Sequence, residues 1–224
     1  MKIDDFLYLC TLMETIIFLV RHGETIDNAR QVMQGQTQGE LNERGREQAR
    51  QVAERLMEEA VDIVMASDLN RAVQTAEYIA APHGLPVLTN PLLRERDWGS
   101  FTGRFIPGLR GEQWPDDVES EETLLNRART LLIYITTTYP GKRVVAVGHG
   151  IINKALLAVY AGCTMSEVQR MMNAEVRVLH TTAERASATG SAAIAATAAA
   201  MAAAGSAATG GAMPYVSTPV ASAE

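Results

Sequence analysis

Two tripeptides, Arg21-His22-Gly23 and Gly148-His149-Gly150, combine residue types that could do chemistry on phosphate. The chain has four histidines, and these motifs hold two of them. A neutral imidazole nitrogen is a competent nucleophile towards phosphorus, and arginine offers a planar fork that matches phosphate oxygens. If His22 is the nucleophile, its second ring nitrogen must be fixed by an acceptor, and we expect a nearby backbone carbonyl. His149, between two glycines that leave room for a ligand, is predicted to contact the phosphate as a charged donor.

Each tripeptide directly follows an apolar, β-branched run, Ile16–Val20 in one case and Val144–Val147 in the other. Such runs are typical of buried strands in a parallel sheet, and open α/β sheets build their sites at the carboxyl ends of those strands. Arg71 follows a third apolar run, Val61–Ala66, and lies in the first turn of a predicted helix, a place that already favours anions. We therefore expect two histidines and two arginines to converge on one tetrahedral anion.

The helices that position these residues are predicted from capping residues and from apolar positions at helical spacing. Their predicted starts are Asn42, Ser67 or Asp68, Ser120, Ile151 and the capping box Thr164–Glu167. The third helix is predicted to stop at Pro140-Gly141 and the fourth at Gly162, and Glu175–His180 is predicted as a last short strand. Strands that alternate with helices predict an α/β fold with three layers (α/β/α) and a mostly parallel central sheet.

Composition limits the class of protein. With 224 residues the chain is long enough for one α/β domain with a real core. A formal net charge of -6 gives no sign of the basic face that a nucleic-acid partner needs, so we expect none. Two cysteines, Cys10 and Cys163, make neither a disulfide framework nor a metal site, which fits a reducing, cytoplasmic setting.

We divide the chain into an extension (residues 1–12), one domain (13–180) and an alanine-rich tail (181–224). The apolar stretch Phe6–Val20 lacks the basic flank and cleavable end of a signal peptide, and Met13 is a second candidate start. In the tail 18 of 44 residues are alanine, which favours local helix over part of Ala192–Ala204 but provides little large apolar surface to bury. Gly, Ser and Thr interrupt this tail, so no membrane partner is expected, and we interpret it as a mobile, dispensable segment.

A proton donor for the leaving oxygen is also needed, and the stretch Leu92–Gly99 offers two carboxylates, Glu95 and Asp97. Residue types alone leave the choice between them open.

Four segments in this order resemble the motifs of the histidine phosphatase superfamily, the phosphoglycerate-mutase-like fold. They are Arg21–Thr25, Ser67–Ala76, Leu93–Gly103 and Gly148–Gly150, and the resemblance covers roughly residues 15–180. It implies His22 as the phosphorylated nucleophile, Glu95 as proton donor and then base for water, and no metal or organic cofactor. It also implies a phosphate pocket of Arg21, Arg71 and His149, and a substrate contact at Asn28. The substrate-binding residues predicted on these grounds are Arg21, Thr25, Asn28, Gln34, Gly35, Arg71, His149 and Gly150. Glu119-Ser120 with Arg127 resembles the family pattern that opens the late helix.

The resemblance implies a small phosphatase that hydrolyses phosphomonoesters of a small metabolite through a phosphohistidine. A cofactor-dependent phosphoglycerate-type mutase is the nearest alternative, but such mutases carry a longer insert with further arginines where this chain has only Arg104 and Arg110. A non-catalytic member that binds phosphorylated ligands or a protein is a further alternative. A dinucleotide-binding reductase would need a glycine-rich fingerprint after the first strand, which is absent from this sequence. Specificity is expected from Thr25, Asn28, Gln34–Gln38 and a lid, Ser100–Val118. Trp98 and Trp114 are expected to pack in the core or the lid, with packing on a substrate as the alternative. The sequence leaves the oligomeric state open and is compatible with a homodimer.

Overall fold

The apolar runs form the centre of a five-stranded sheet. In the computed structural model, which describes residues 12–189, the strands are β1 (Thr15–Arg21), β2 (Ile63–Ala66), β3 (Val87–Thr89), β4 (Arg143–Gly148) and β5 (Val176–Thr181). Their order is β3-β2-β4-β1-β5, with the first four parallel and β5 antiparallel to β1. The central pair is in a register that sets Arg21 opposite Gly148. Both histidine tripeptides therefore leave the sheet side by side at the same edge.

Helices cover both faces of this sheet. They are α1 (Ile26–Ala29), α2 (Glu43–Leu56), α3 (Asn70–Ala80), α4 (Glu121–Thr138), α5 (Gly150–Ala161) and α6 (Ala183–Ala188). Successive strand residues point to opposite faces. Leu19 and Ala146 therefore pack with α4 and α5 on one face, while Val20 and Val147 pack with α2 and α3 on the other. The predicted three-layer α/β/α fold with a mostly parallel sheet is confirmed.

Two of the predicted helix caps are confirmed and one is wrong. The side chains of Asn42 and Ser120 accept hydrogen bonds from backbone N–H groups at the starts of α2 and α4. At α3 the residue that precedes the helix is Leu69, which provides no side-chain cap. Ser67 and Asp68 do not cap α3 because both side chains have other partners. The Ser67 hydroxyl accepts from the Leu69 N–H and bonds His149, and Asp68 pairs with Arg94.

One element is shorter than the sequence predicted, and one short strand was not predicted. The capping box at Thr164–Glu167 forms, but it closes only a single 3-10 turn, Met165–Glu167, and not a fifth long helix. Strand β3 has only three residues, and two of them are exposed. So short a strand shows no periodic pattern of apolar residues in the sequence. Neither difference changes the order of the three layers.

The packed elements continue past residue 180, the predicted end of the domain. Strand β5 ends at Thr181, and α6 then packs against α4 with Ala183 and Ala186 buried. The boundary therefore lies later than predicted, because small alanines suffice to seat a helix closely on a neighbour. Most of the predicted extension and the helix predicted within Ala192–Ala204 lie outside the described residues. Between residues 12 and 189, no helix has the length and apolarity that a membrane crossing requires.

Candidate active site

The two tripeptides bring their imidazole rings together at the carboxyl edge of the sheet. The ring centroids of His22 and His149 are 5.0 Å apart, with the ring planes inclined at 58°. The backbone N–H of His22 donates to the carbonyl of Gly148 (3.1 Å), which continues the β1–β4 pairing into both loops. Arg71, at the start of α3, reaches the same point and donates through Nε to Nδ1 of His149 (3.2 Å). Residues that are 127 positions apart in sequence thus form one cluster.

His22 is held in a single orientation by its own loop. Its Nδ1 is 2.7 Å from the carbonyl oxygen of Gly23, so Nδ1 carries the proton and donates it, and Nε2 keeps a free lone pair. This is the backbone acceptor that the sequence analysis expected. Burial, and then the positive charges of Arg71 and Arg21, hold the pKa of His22 well below its ordinary value. The ring is therefore neutral near pH 7, the state in which imidazole is a nucleophile.

Glycine is required at position 23 because the loop passes close to α2. A Cβ at Gly23 would lie 2.4 Å from the carbonyl oxygen of Gly45, and a Cβ at Gly45 would lie 1.9 Å from the carbonyl oxygen of Glu24. Two backbones touch here without side chains between them, which fixes where the His22 loop leaves the sheet.

The guanidinium groups of Arg21 and Arg71 are buried and have no carboxylate partner. Arg21 is 7% exposed and Arg71 is 1% exposed, and neither forms an ion pair within residues 12–189. Arg71 donates to the carbonyls of Thr37 (2.5 Å), Gln38 (3.1 Å) and Gly35 (2.7 Å). Arg21 donates through one terminal nitrogen to a backbone carbonyl, and its buried Nε has no partner in the described part of the chain. Burial lowers the pKa of both groups to about 10, so both stay charged at neutral pH.

The neutral state of His149 corrects one prediction. Burial, followed by the charges of Arg71, His22 and Arg21, holds its pKa well below the ordinary value, so it is neutral near pH 7 and not the expected charged donor. Nδ1 accepts from Arg71, and Nε2 lies 2.9 Å from the hydroxyl of Ser67. A hydroxyl can either donate or accept. When an anion takes over the Arg71 donor, Ser67 can donate to Nε2 and leave Nδ1 with a proton for the anion.

Of the two candidate carboxylates, the structure places Glu95 beside the cluster. Its side chain is 7% exposed and accepts from the backbone N–H groups of Ile151 (3.1 Å) and Ile152 (3.3 Å), at the start of α5. Its negative charge reaches both buried arginines, as it acts to raise the pKa of Arg21 and of Arg71. Asp97 is exposed and instead accepts from the N–H of Gly99 (2.9 Å).

An ion pair behind Glu95 holds its segment in place. Arg127 on α4 pairs with Glu119 (2.7 Å) and donates to the carbonyl of Arg94 (2.6 Å), the residue before Glu95. The Glu119–Arg127 pattern noted in the sequence therefore has a positioning contact. Nearby, the rings of Trp98 and Trp114 pack with their centroids 5.5 Å apart, and the Arg96 guanidinium lies over both, 5.0 and 4.9 Å from the centroids, which agrees with packing in the lid.

The remaining predicted substrate residues differ in their exposure, and all but Gly150 lie on the segment between β1 and α2. Thr25 is fully buried, and its hydroxyl caps α1 and accepts from Gln34 (2.6 Å), so both side chains support the loop. Gly35 has a positive φ of 52° and presents its carbonyl to Arg71. Asn28 is half-buried at the rim, and Gly150 is the first residue of α5.

Sequence reasoning missed one wall of the site, the segment Arg170–Glu175. The carbonyl of Met171 accepts from Arg21 (2.7 Å), and the amide of Asn173 donates to the carbonyl of His22 (3.1 Å) and to Asn28 (3.2 Å). Because β5 runs antiparallel to β1, its start lies beside the end of β1, with Val176 opposite Val20. The signal would have been this antiparallel pairing, which brings the residues just before β5 to the catalytic edge.

Comparison with known proteins agrees with this geometry. A sequence model of the histidine phosphatase superfamily (branch 1) matches residues 17–192. The chain is 38% identical over 179 residues to phosphoglycerate mutase-like protein 4 of Arabidopsis thaliana, covering 72% of this chain and 77% of that protein. It is 38% identical over 184 residues to the metal-independent phosphoserine phosphatase of the same plant, covering 74% and 76%. A solved structure of a mycobacterial glucosyl-3-phosphoglycerate phosphatase superposes with a TM-score of 0.68 at 28% identity, covering 75% of this chain and 90% of that one.

Proposed function

The chain belongs to the histidine phosphatase superfamily and is an enzyme that hydrolyses phosphate esters; we propose that its substrates are small phosphorylated metabolites and that it works through a phosphohistidine at His22. One observation carries the proposal: the two guanidinium groups of Arg21 and Arg71 are buried without a carboxylate partner, beside two neutral imidazoles. Buried, unpaired charge is costly, and an oxyanion that accepts from both groups removes that cost. A phosphoryl group has the charge and the oxygens to do so.

In the first step, Nε2 of His22 attacks phosphorus in line with the ester oxygen. The N–P bond forms as the P–O bond breaks, and Glu95 acts as the general acid that gives a proton to the departing alkoxide. The phosphoryl transition state is loose, with charge spread over three equatorial oxygens. Arg21 and Arg71 face that charge and are already oriented by their own hydrogen bonds. His149 joins them through an Nδ1–H once Ser67 donates to its Nε2.

In the second step, water completes the hydrolysis. Glu95, now ionised, takes a proton from a water molecule whose oxygen attacks phosphorus. The N–P bond breaks, its electron pair returns to Nε2 of His22, and inorganic phosphate leaves. The Gly23 carbonyl keeps the Nδ1 proton in place through both steps, so the ring returns to its starting tautomer.

Replacing the nucleophile tests this scheme. We expect His22→Ala to abolish hydrolysis of 4-nitrophenyl phosphate and to prevent labelling by a radioactive substrate under alkaline quench, which preserves phosphohistidine. His180→Ala is the matched control, because the side chain of that histidine is exposed and, among residues 12–189, pairs with Glu14 alone. Near-normal turnover by His22→Ala, with wild-type KM, would rule out the covalent step.

Hydrolysis is favoured over phosphoryl exchange by the lid. Arg104, one of the two arginines available for a second phosphate or carboxylate, is turned towards Glu112 and pairs with it (2.5 Å). The assay that separates the two reactions follows 3-phosphoglycerate with and without 2,3-bisphosphoglycerate. Release of inorganic phosphate without isomerisation supports the proposal, and bisphosphate-dependent isomerisation supports the mutase. Failure to trap a phosphoenzyme while ligands still bind would indicate a non-catalytic member.

We also propose that the segment after Thr189 is dispensable for catalysis and that the enzyme works in the cytoplasm. All the site contacts above are made by residues between 21 and 173, and the location rests on the low cysteine content. A chain ending at Thr189 is expected to keep the full kcat/KM, and a loss above about tenfold, or 1.4 kcal/mol, would overturn the first part.

A further inference from the structure

A third arginine, Arg170, lies at the mouth of the site and has no assigned partner. A Cβ on Gly150 would lie 2.8 Å from Nε and 2.9 Å from a terminal nitrogen of Arg170, so the guanidinium covers the first residue of α5, directly after His149. The side chain is exposed, and it forms no hydrogen bond or ion pair with any residue between 12 and 189. Its donor groups are therefore available to a ligand.

The backbone next to Arg170 is anchored to the site, so the guanidinium is not on a free loop. The carbonyl of Met171 accepts from Arg21, and Asn173 donates to the carbonyl of His22 and to Asn28. Two further backbone bonds join the N–H of Ala174 to the carbonyls of Arg21 and His22 (3.0 and 3.2 Å). The backbone that carries Arg170 is therefore held beside His22, within reach of a ligand bound there.

The charge of Arg170 is not paired with a carboxylate of residues 12–189. After burial, Arg170 is the largest cause that lowers the pKa of Arg21, and it also lowers that of His22. A phosphoryl dianion balances the two buried guanidinium groups, and it leaves the third positive charge without an anion. Two carboxylates lie near these arginines, and both have other partners. Glu95 accepts from the backbone of α5, and Glu175 accepts from the N–H of Met172 and pairs with Arg177.

We propose that Arg170 makes the enzyme select phosphomonoesters that also carry a carboxylate, which Arg170 binds while the phosphoryl group lies between Arg21 and Arg71. This inference rests on the proposed function and names the substrate class of that same site. A guanidinium fork binds a carboxylate through two parallel hydrogen bonds, and its single positive charge matches the single negative charge. Asn28 provides an amide donor on the same rim, as its nitrogen has no partner within residues 12–189.

The test compares substrates that differ only in the carboxylate. 3-Phosphoglycerate and glycerol 3-phosphate have the same phosphoester, with a carboxylate in the first where the second has a hydroxymethyl group. We expect wild type to favour the acid in kcat/KM, and Arg170→Gln to reduce that ratio by about 10- to 100-fold, the loss of a charge-assisted pair. Arg170→Lys should keep part of the ratio, because it retains the charge and loses the fork. Arg50→Gln, an exposed arginine on α2 that pairs with Glu47, is the control and should leave the ratio at the wild-type value.

A binding arm separates this inference from the proposed function. In a His22→Ala background, dissociation constants for the same two compounds report the preference without turnover. A carboxylate preference that Arg170→Gln removes supports the inference, whether or not wild type hydrolyses either compound. An equal affinity of the parent for both compounds, or an unchanged ratio in Arg170→Gln, overturns it. Fructose 1,6-bisphosphate and fructose 6-phosphate form a second pair, and a larger effect of Arg170→Gln on that pair would overturn the carboxylate assignment in favour of a second phosphate.

Discussion

Replacement of Arg71 by methionine should remove most of the thermal stabilisation that bound phosphate gives the protein. Arg71 carries its charge in a site where burial lowers its pKa to about 10, a difference that corresponds to about 3 kcal/mol of disfavour for the charged form. A bound phosphate removes that cost, so losing the guanidinium should weaken phosphate binding by about 3 kcal/mol, or about 150-fold in Kd. Arg71→Lys should lie between wild type and Arg71→Met, since it keeps a charge but cannot form the fork.

The assay is thermal unfolding with inorganic phosphate at about 100 times the wild-type Kd. Wild type should gain about 2.7 kcal/mol, which raises Tm by about 5–10 °C. At the same phosphate concentration Arg71→Met should gain about 0.3 kcal/mol, a rise of about 1 °C above its own phosphate-free Tm. Arg71→Met also loses the three hydrogen bonds that Arg71 donates to backbone carbonyls. Because each protein is compared with its own phosphate-free Tm, that loss does not affect the comparison. Arg50→Met is the exposed control. A wild-type-sized rise in Arg71→Met would refute the reasoning.

Three further outcomes are expected. Because burial and both arginines hold the pKa of His22 below its ordinary value, the unfolded chain takes up its proton first as the pH falls through about 6.5, and stability is lost there. His22→Gln should therefore lose less unfolding free energy than wild type between pH 7.5 and 5 in urea titrations, and equal losses would contradict this. Glu95→Gln should lower kcat by about 10²- to 10⁴-fold for glycerol 3-phosphate and much less for 4-nitrophenyl phosphate, whose leaving group needs little proton help; equal damage would point to another donor. Gly45→Ala should lower the free energy of unfolding measured in urea by about 1–3 kcal/mol, because the added Cβ would lie 1.9 Å from a backbone oxygen of Glu24. Alanine favours helix over glycine, so a variant more stable than wild type would contradict this contact.

The sheet was predictable because its central strands are buried on both faces. β1 and β4 are continuous apolar runs, and each is followed by a histidine with at least one adjacent glycine, so the edge that carries the candidate site could be predicted from the sequence. β3 was not visible, because three residues at a sheet edge with two exposed side chains leave no periodic pattern. The same limit applies to α6, whose buried surface consists of alanines.

Sequence reasoning identified the side chains that meet in the cluster better than the groups that orient them. The pairing of Ser67 with His149 joins positions 82 apart, and a buried serine before a helix is equally typical of a cap. The choice of Glu95 over Asp97 came from a family resemblance, and its physical reason, two backbone donors at the start of α5, appears only in three dimensions. Arg170 was missed because its place depends on the antiparallel pairing of β5, which strand–helix alternation does not predict.

The positive field of the site has two effects that reinforce each other. Arg71 and Arg21 lower the pKa of His22, which keeps its Nε2 lone pair free, and in the proposed mechanism the same charges bind the phosphoryl group that Nε2 attacks. A serine or cysteine nucleophile needs a neighbouring base to remove its proton. His22 is already neutral, and the Gly23 carbonyl is sufficient to hold its tautomer. The cost is a native state that buries two cations without counterions, and substrate removes this cost on binding. Neutralising either arginine should therefore affect catalysis more than stability, and the glycine contacts around Gly23 and Gly45 keep His22 where the field is strongest.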